Sequence, residues 1–150
     1  MRRYAVLHGP NLNRLGRRDP QRYGTRTLAD IQADTDAAAA RLGVTTVHHQ
    51  SNHEGDLIDF LHGQQDEPGL AGVIVNPAGL TRAGWSLRTA LVDTGVPVAV
   101  VHLSELHRYG PEPEPDIFLP VANVYLAGAG GNGYRLALEA LCLRHSDTPE

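Results

Sequence analysis

YAVLHGPNLNRLGRRDPQRYG, residues 4–24, joins a mostly apolar run to a polar loop punctuated by Gly and Pro. The run Tyr4–His8 reads as a buried strand, so Asn11 is expected just past that strand's carboxyl end. In open α/β sheets, ligands bind in that position. The loop from Gly9 to Gly24 concentrates an amide, the guanidiniums of Arg14, Arg17, Arg18 and Arg22, and the Tyr23 phenol. Apolar residues are scarce between Asn13 and Tyr23, so residues 13–24 read as a catalytic lid that little would hold down without ligand.

Working outward, the same alternation of strand and helix continues. Thr27 is placed to cap a helix over Leu28–Leu42, with Leu28, Ile31, Ala38 and Leu42 near helical spacing and Gly43 as its stop. Val44–His49 is β-branched and reads as a second strand ending near Gln50. Ser51 or Asn52 is expected to cap a helix through His62, with Glu54 and Asp56 favouring its dipole and Leu57, Ile58, Phe60 and Leu61 forming its buried stripe.

Gly72–Val75 lacks polar alternation, as a strand covered by helices on both faces should. The Asn76-Pro77-Ala78-Gly79 turn follows, then a helix from about Arg82 to Thr94 with Trp85, Leu87, Leu91 and Val92 as its apolar content. Val98–Val101 is a fourth buried strand that opens at once into His102-Leu103-Ser104. Gly110–Pro115 reads as an extended loop, Val121–Leu126 as a fifth strand, Tyr134–Leu143 as a last helix, and the tail after His145 as frayed. Five strands alternating with helices predict an α/β, flavodoxin-like three-layer sandwich with a five-stranded parallel sheet. Residues 1–150 are expected to form one domain.

Composition narrows the chemistry. All thirteen Lys+Arg residues are arginine, so a Schiff-base lysine and a Walker-type phosphate lysine are both excluded. A formal charge of -4 argues against nucleic acid as a partner. No run reaches the roughly 18–20 apolar residues of a membrane span, and the start lacks the apolar core of a signal peptide, which predicts a cytoplasmic protein with no membrane partner. The lone Cys142 lies in an apolar helical pattern and reads as a structural thiol.

The strand ends bring Asn11, Asn76, His102 and Ser104 together, with Arg18 and Tyr23 arriving from the lid. A free phenol titrates near about 10, so a tyrosine serves as a base near neutrality only where cations stabilise its phenolate. The arginines around Tyr23 fit that role, although a loop aromatic can equally be an anchor. His102 is the histidine best placed for proton transfer, set against the reading of a hydrogen-bonded core histidine. Asn76 and Asn11 taken singly could simply turn the chain. Gly128–Gly133, GAGGNG, matches a dinucleotide pattern, but no βαβ unit follows it. His48, His49 and His53 suggest a structural or interface role rather than a metal site, since His48 and His49 should point to opposite faces of a strand.

GPNLNRLGRRDPQRYG, QSNHEGDLIDFLH from Gln50, the VNP turn at Asn76, HLSELH from His102, and GYRLALEAL near the end follow one another in a specific order and spacing. On these motifs the chain resembles, across essentially its whole length, the type II 3-dehydroquinate dehydratases. It implies a trans elimination of water through an enolate, with neither metal nor organic cofactor. Tyr23 would take the proton next to the ketone, with Arg18 favouring its phenolate and stabilising the transition state. Asn11 would hold the water that stabilises the enolate, and His102 would protonate the departing hydroxyl. Asn76, Ser104 and the Leu103 amide would grip the substrate carboxylate. A homo-oligomer, trimers combined into a dodecamer, is also implied, with a neighbouring subunit closing each site near Thr89.

The chain departs from the family pattern at defined positions. A glutamate usually precedes the catalytic histidine by two residues, where this chain has Val100, so His102 is expected to lack its usual partner. Two arginine positions in the next loop hold Tyr109 and Pro113, and a usual histidine and aspartate are replaced by Arg82 and Thr89. Three functions fit this pattern: a divergent dehydroquinate dehydratase, a related lyase acting on another cyclic carboxylic acid, and a non-catalytic small-molecule-binding homologue.

Overall fold

The computed structural model describes residues 1–105 and 116–147. In chain order the elements are β1 (Arg3–His8), α1 (Pro20–Tyr23), α2 (Leu28–Leu42), β2 (Thr45–Gln50) and α3 (Glu54–Asp66). They continue with β3 (Leu70–Asn76), α4 (Trp85–Asp93), β4 (Val98–His102), β5 (Val124–Ala127) and α5 (Asn132–Asp147). The strands form one parallel sheet in the order β2-β1-β3-β4-β5. This is the flavodoxin-like order, with its switch point between β1 and β3. The expected fold class is therefore the observed one.

Strand residues alternate between two cores. Tyr4, Val6, Ile74, Ala99 and Val101 pack beneath α2 and α5 with Ile31, Ala38, Leu138 and Leu141. Ala5, Leu7, Val73, Val75, Val98 and Val100 pack beneath α3 and α4 with Leu57, Leu61, Leu87 and Leu91. Both sheet faces are thereby covered, which explains the unbroken apolar runs in the central strands. No helix among the described residues is long and apolar enough to cross a membrane.

Several boundaries differ from the sequence expectation. The residue before α3 is His53, not Ser51 or Asn52, and its side chain makes no cap bond. Ser51 Oγ instead accepts the His53 N–H, while Asn52 Oδ1 accepts the Asn11 N–H. The helix runs on past Gly63 to Asp66. α4 starts at Trp85 because Ala78–Leu80 forms a tight helical turn first, and Trp85 and Val92 are exposed rather than core. Pro120 lies in another such turn, Leu119–Val121, so β5 begins at Val124. α5 is longer than expected at both ends. In α2, Leu42 is exposed and Thr35 is buried, its hydroxyl satisfied by the Ile31 carbonyl at 2.8 Å. The Gly110–Pro115 loop, Tyr109 and Pro113 lie outside the described residues.

Thr27 caps α2 as expected, and the cap is reciprocal. Its hydroxyl accepts the Asp30 N–H at 3.1 Å, while the Asp30 carboxylate accepts the Thr27 N–H at 3.0 Å. Thr27→Ala is expected to lower the unfolding free energy in urea by about 1 kcal/mol, with Thr27→Ser retaining most of it. An alanine variant as stable as the wild type would show that the cap is dispensable.

Candidate active site

The carboxyl ends of β1, β3 and β4 surround a cavity of about 190 Å³. It is lined by Pro10, Asn11 and Leu12 after β1, Asn76, Ala78 and Thr81 after β3, and His102, Leu103 and Ser104 at the end of β4. Arg18, Arg22 and Tyr23 close it from the lid. Drug-sized pockets span about 300–1,000 Å³, so this volume suits a ligand with one small ring. The lining is cationic and rich in donors, which favours an anionic, oxygenated ligand.

Gly9 lets these strand ends converge. Its N–H donates to the Asn76 carbonyl at 2.9 Å, and a Cβ there would lie 2.5 Å from the Pro77 carbonyl oxygen. Any larger residue would push the first loop off the third. Asn11 follows in a left-handed conformation, φ 70°, which asparagine tolerates. Ala78, with φ 48°, is strained on the opposite rim.

The lid is better anchored than its composition suggests. Leu12 and Leu15 are buried in the α2/α5 core, and Asp19 caps the short α1 through the Gln21 N–H at 3.0 Å. Tyr23 is half-buried. The Arg18 guanidinium stacks 3.7 Å from its ring centroid, and that of Arg22 lies at 5.3 Å. Two full cations therefore face one phenol ring.

Asn76 is held by a chain of hydrogen bonds under α2 and α5. Its side-chain oxygen accepts the Ala78 N–H at 3.1 Å, and its amide donates to the buried Tyr134 hydroxyl. His8 Nδ1 lies 3.2 Å from that hydroxyl, His8 Nε2 lies 3.0 Å from His48 Nδ1, and His48 Nε2 lies 2.8 Å from the Asp36 carboxylate. Asp36 can only accept, and with a neutral His48 ring that sets every donor in the line. His48 donates through Nε2, His8 donates through Nε2, and Tyr134 donates to His8 Nδ1. Asn76 thus presents a fixed amide to the cavity. Burial, with help from His48 and His49, lowers the His8 pKa to about 3.

His102 lies on the other sheet face, and it has a carboxylate after all. Val100 is fully buried, but Asp116 supplies an oxygen 2.7 Å from His102 Nε2. The Tyr125 hydroxyl donates to that same oxygen at 2.7 Å, and the Phe118 N–H donates to the other at 2.9 Å. Burial pushes the Asp116 carboxyl up, yet the bonds from His102, Tyr125 and Phe118 outweigh it and hold it below the ordinary value. Burial and donation to Asp116 push the Tyr125 phenol well up, so it remains a protonated donor. His102 thus lacks the usual glutamate at position 100, as expected, and is paired instead with Asp116.

Arg82 and Thr89 do not line the cavity. Arg82 is exposed beyond Thr81, and Thr89 is exposed on α4 with its hydroxyl bonded to the Trp85 carbonyl at 3.1 Å. His49 pairs with Asp56 at 2.8 Å and stacks on Phe60, on the face opposite His48. Cys142 is buried. The GAGGNG run is a packing device. A Cβ at Gly133 would lie 2.9 Å from Val101 Cγ1, and the Gly130 N–H holds the Leu103 carbonyl at 3.0 Å. Sequence reasoning missed Asp116, Tyr125, His8 and Tyr134. Of these, only His8, at the end of β1, carried a positional signal.

The sequence profile described as dehydroquinase class II matches residues 2–142. The chain is 47% identical to the 3-dehydroquinate dehydratase of Roseiflexus castenholzii, an alignment covering 91% of this chain and 85% of the relative. It is 43% identical to that of Halothermothrix orenii, covering 94% of each. The crystal structure of a type II dehydroquinase from Propionibacterium acnes superposes with a TM-score of 0.87 at 31% identity, covering 95% of this chain and 97% of that one.

The buried His8 predicts acid sensitivity. Above pH 6.5 it is neutral in both states and its contribution to stability is complete. As the pH falls below 6.5 the unfolded chain takes up a proton that the native ring, with its pKa near 3, refuses. Between pH 7 and pH 5 the native protein is expected to lose about 2 kcal/mol that a His8→Asn variant does not lose, read from urea unfolding at both pH values. Equal losses in the two proteins would show that His8 is not the group responsible.

Proposed function

This chain belongs to the dehydroquinase class II family, and from that premise we propose that it is a 3-dehydroquinate dehydratase. This hydro-lyase converts 3-dehydroquinate to 3-dehydroshikimate and water by trans elimination. The observation that carries the reading is the meeting of Tyr23, stacked under Arg18, with His102 in one cavity. The absence of lysine from the sequence is in keeping with it, because an imine route has no amine to use.

In the proposed mechanism Tyr23, as phenolate, removes the proton next to the ketone, and Arg18 stabilises the charge on the phenolate and in the transition state. Asn11 holds the water that hydrogen-bonds the enolate oxygen. The enolate then re-forms the ketone as the ring double bond closes and the C–O bond breaks. His102 gives the departing hydroxyl its proton. Asn76, Ser104 and the Leu103 amide bind the carboxylate. Thr89, exposed on α4, meets a neighbouring subunit in a homo-oligomer of trimers combined into a dodecamer. The protein acts in the cytoplasm on the shikimate pathway to aromatic amino acids.

A second reading, a lyase for a related cyclic carboxylic acid, is favoured by Arg82 and Thr89 at positions where the family usually has other polar groups. Each unmatched ring hydroxyl would cost about 1–3 kcal/mol of binding.

Purified protein is expected to turn over 3-dehydroquinate, seen as the rising enone absorbance of 3-dehydroshikimate. Folded protein without turnover would reject this reading in favour of the second. Tyr23→Phe is expected to lower kcat by about 10²- to 10⁴-fold. Unchanged turnover would show that the lid phenol is not the base.

A further inference from the structure

The general acid of a dehydration must offer a proton from a fixed direction, and a histidine ring does so only when its other nitrogen is held. His102 and Asp116 are both almost wholly buried, with side chains 5% and 6% exposed, and Nε2 stands 2.7 Å from the carboxylate. Two nitrogens share one ring, and Nε2 is committed to Asp116. Nδ1 is therefore the atom His102 offers to the cavity it lines.

We propose that Asp116, fixed by Tyr125 and the Phe118 N–H, is the positioning residue that locks His102 with its proton on Nε2 and Nδ1 toward the substrate. It takes over the task of the carboxylate that Val100 cannot supply. The two positions reach the same place by different routes. Val100 lies two residues before His102 on β4, and its side chain shares the α3/α4 face with His102, Phe118 and Tyr125. Asp116 enters that face from the segment leading into β5, fourteen residues after His102 in sequence. Tyr125 completes the arrangement from β5, where its neighbours Val124 and Leu126 face the opposite core.

The consequence for the reaction is specific. With Nε2–H held by the carboxylate, the imidazolium form carries its second proton on Nδ1. That proton passes to the hydroxyl oxygen as the C–O bond breaks and its electron pair leaves with oxygen. Water departs, and His102 is left neutral with Nε2–H still on Asp116. Among the described residues, the other charged groups that line this cavity are Arg18 and Arg22, which approach from the lid. None of them replaces the Asp116 contact.

Asp116→Asn makes a sharp test because the site itself decides how the amide sits. The Phe118 N–H needs an acceptor, so the amide oxygen stays beside Phe118 and the NH₂ group faces His102. That group donates to Nε2 and drives the ring proton to Nδ1. Long-range nitrogen–proton NMR on uniformly ¹⁵N-labelled protein, with the His102 signal assigned by its loss in His102→Gln, reads the tautomer of the neutral ring. The wild type is expected to show Nε2–H and Asp116→Asn to show Nδ1–H. The variant's kcat should fall by about 10²- to 10⁴-fold, with KM within a few-fold.

An Nδ1–H tautomer in the wild type overturns the proposal, even if the variant fails to fold. So does a folded variant with its tautomer or its kcat unchanged. The kinetic arm rests on the proposed function, whereas the tautomer needs no turnover. A wild type with Nε2–H and no activity on 3-dehydroquinate would reject the substrate and leave the Asp116 assignment standing.

Discussion

The close approach of two backbone segments, Gly9 against Asn76–Pro77, is the constraint on which the site depends. The strand order sends the chain from β1 outward to β2 and then back to β3 on the other side, so the first and third strand ends splay around one crevice. Gly9 closes that crevice at its base with a 2.9 Å hydrogen bond to the Asn76 carbonyl. Asn11 and Asn76 then stand on opposite walls, and the lid that follows Asn11 is delivered over the end of β4. The Asn11 N–H is tied in turn to Asn52 just beyond β2, so three strand ends brace the root of the lid.

Two polar networks extend from this crevice, one beneath each sheet face. Under α2 and α5, Asp36, His48, His8 and Tyr134 form a hydrogen-bonded line ending on the Asn76 amide. Under α3 and α4, the Tyr125 hydroxyl and the Phe118 N–H converge on Asp116, which in turn bonds His102. Both are buried at their functional end, where low dielectric strengthens each bond and makes an unmet donor expensive. The orientation of Asn76 and the tautomer of His102 are therefore structural properties of the protein, set before any ligand arrives.

Much of the fold was legible because Tyr4–His8, Gly72–Val75 and Val98–Val101 are short apolar runs without alternation, each stopped by polar or turn-forming residues. Thr27 and Gly43 likewise carry their boundary signals locally. The misread boundaries have non-local causes. Asn52 has the chemistry of a cap but is drawn to Asn11, and Pro120 diverts the chain into a turn before β5. At the site, Asn11, Arg18, Tyr23, Asn76, His102 and Ser104 follow strands or sit in the lid, so position alone gathers them. Asp116 belongs to no periodic pattern, and its meaning comes only from the fold that lays it on His102. Leu12 and Leu15 were likewise hidden within a polar loop, where two leucines suffice to anchor the lid's root.

In the proposed mechanism the base sits on the lid and the acid on the sheet, so that proton and hydroxyl leave from opposite faces of the ring. The most direct measurement uses 3-dehydroquinate deuterated stereospecifically on the carbon next to the ketone, with the product analysed by mass spectrometry. Loss of the deuterium that lies anti to the departing hydroxyl, with retention of its syn counterpart, is the expected result. Loss of the syn deuterium instead would contradict an elimination divided between Tyr23 and His102.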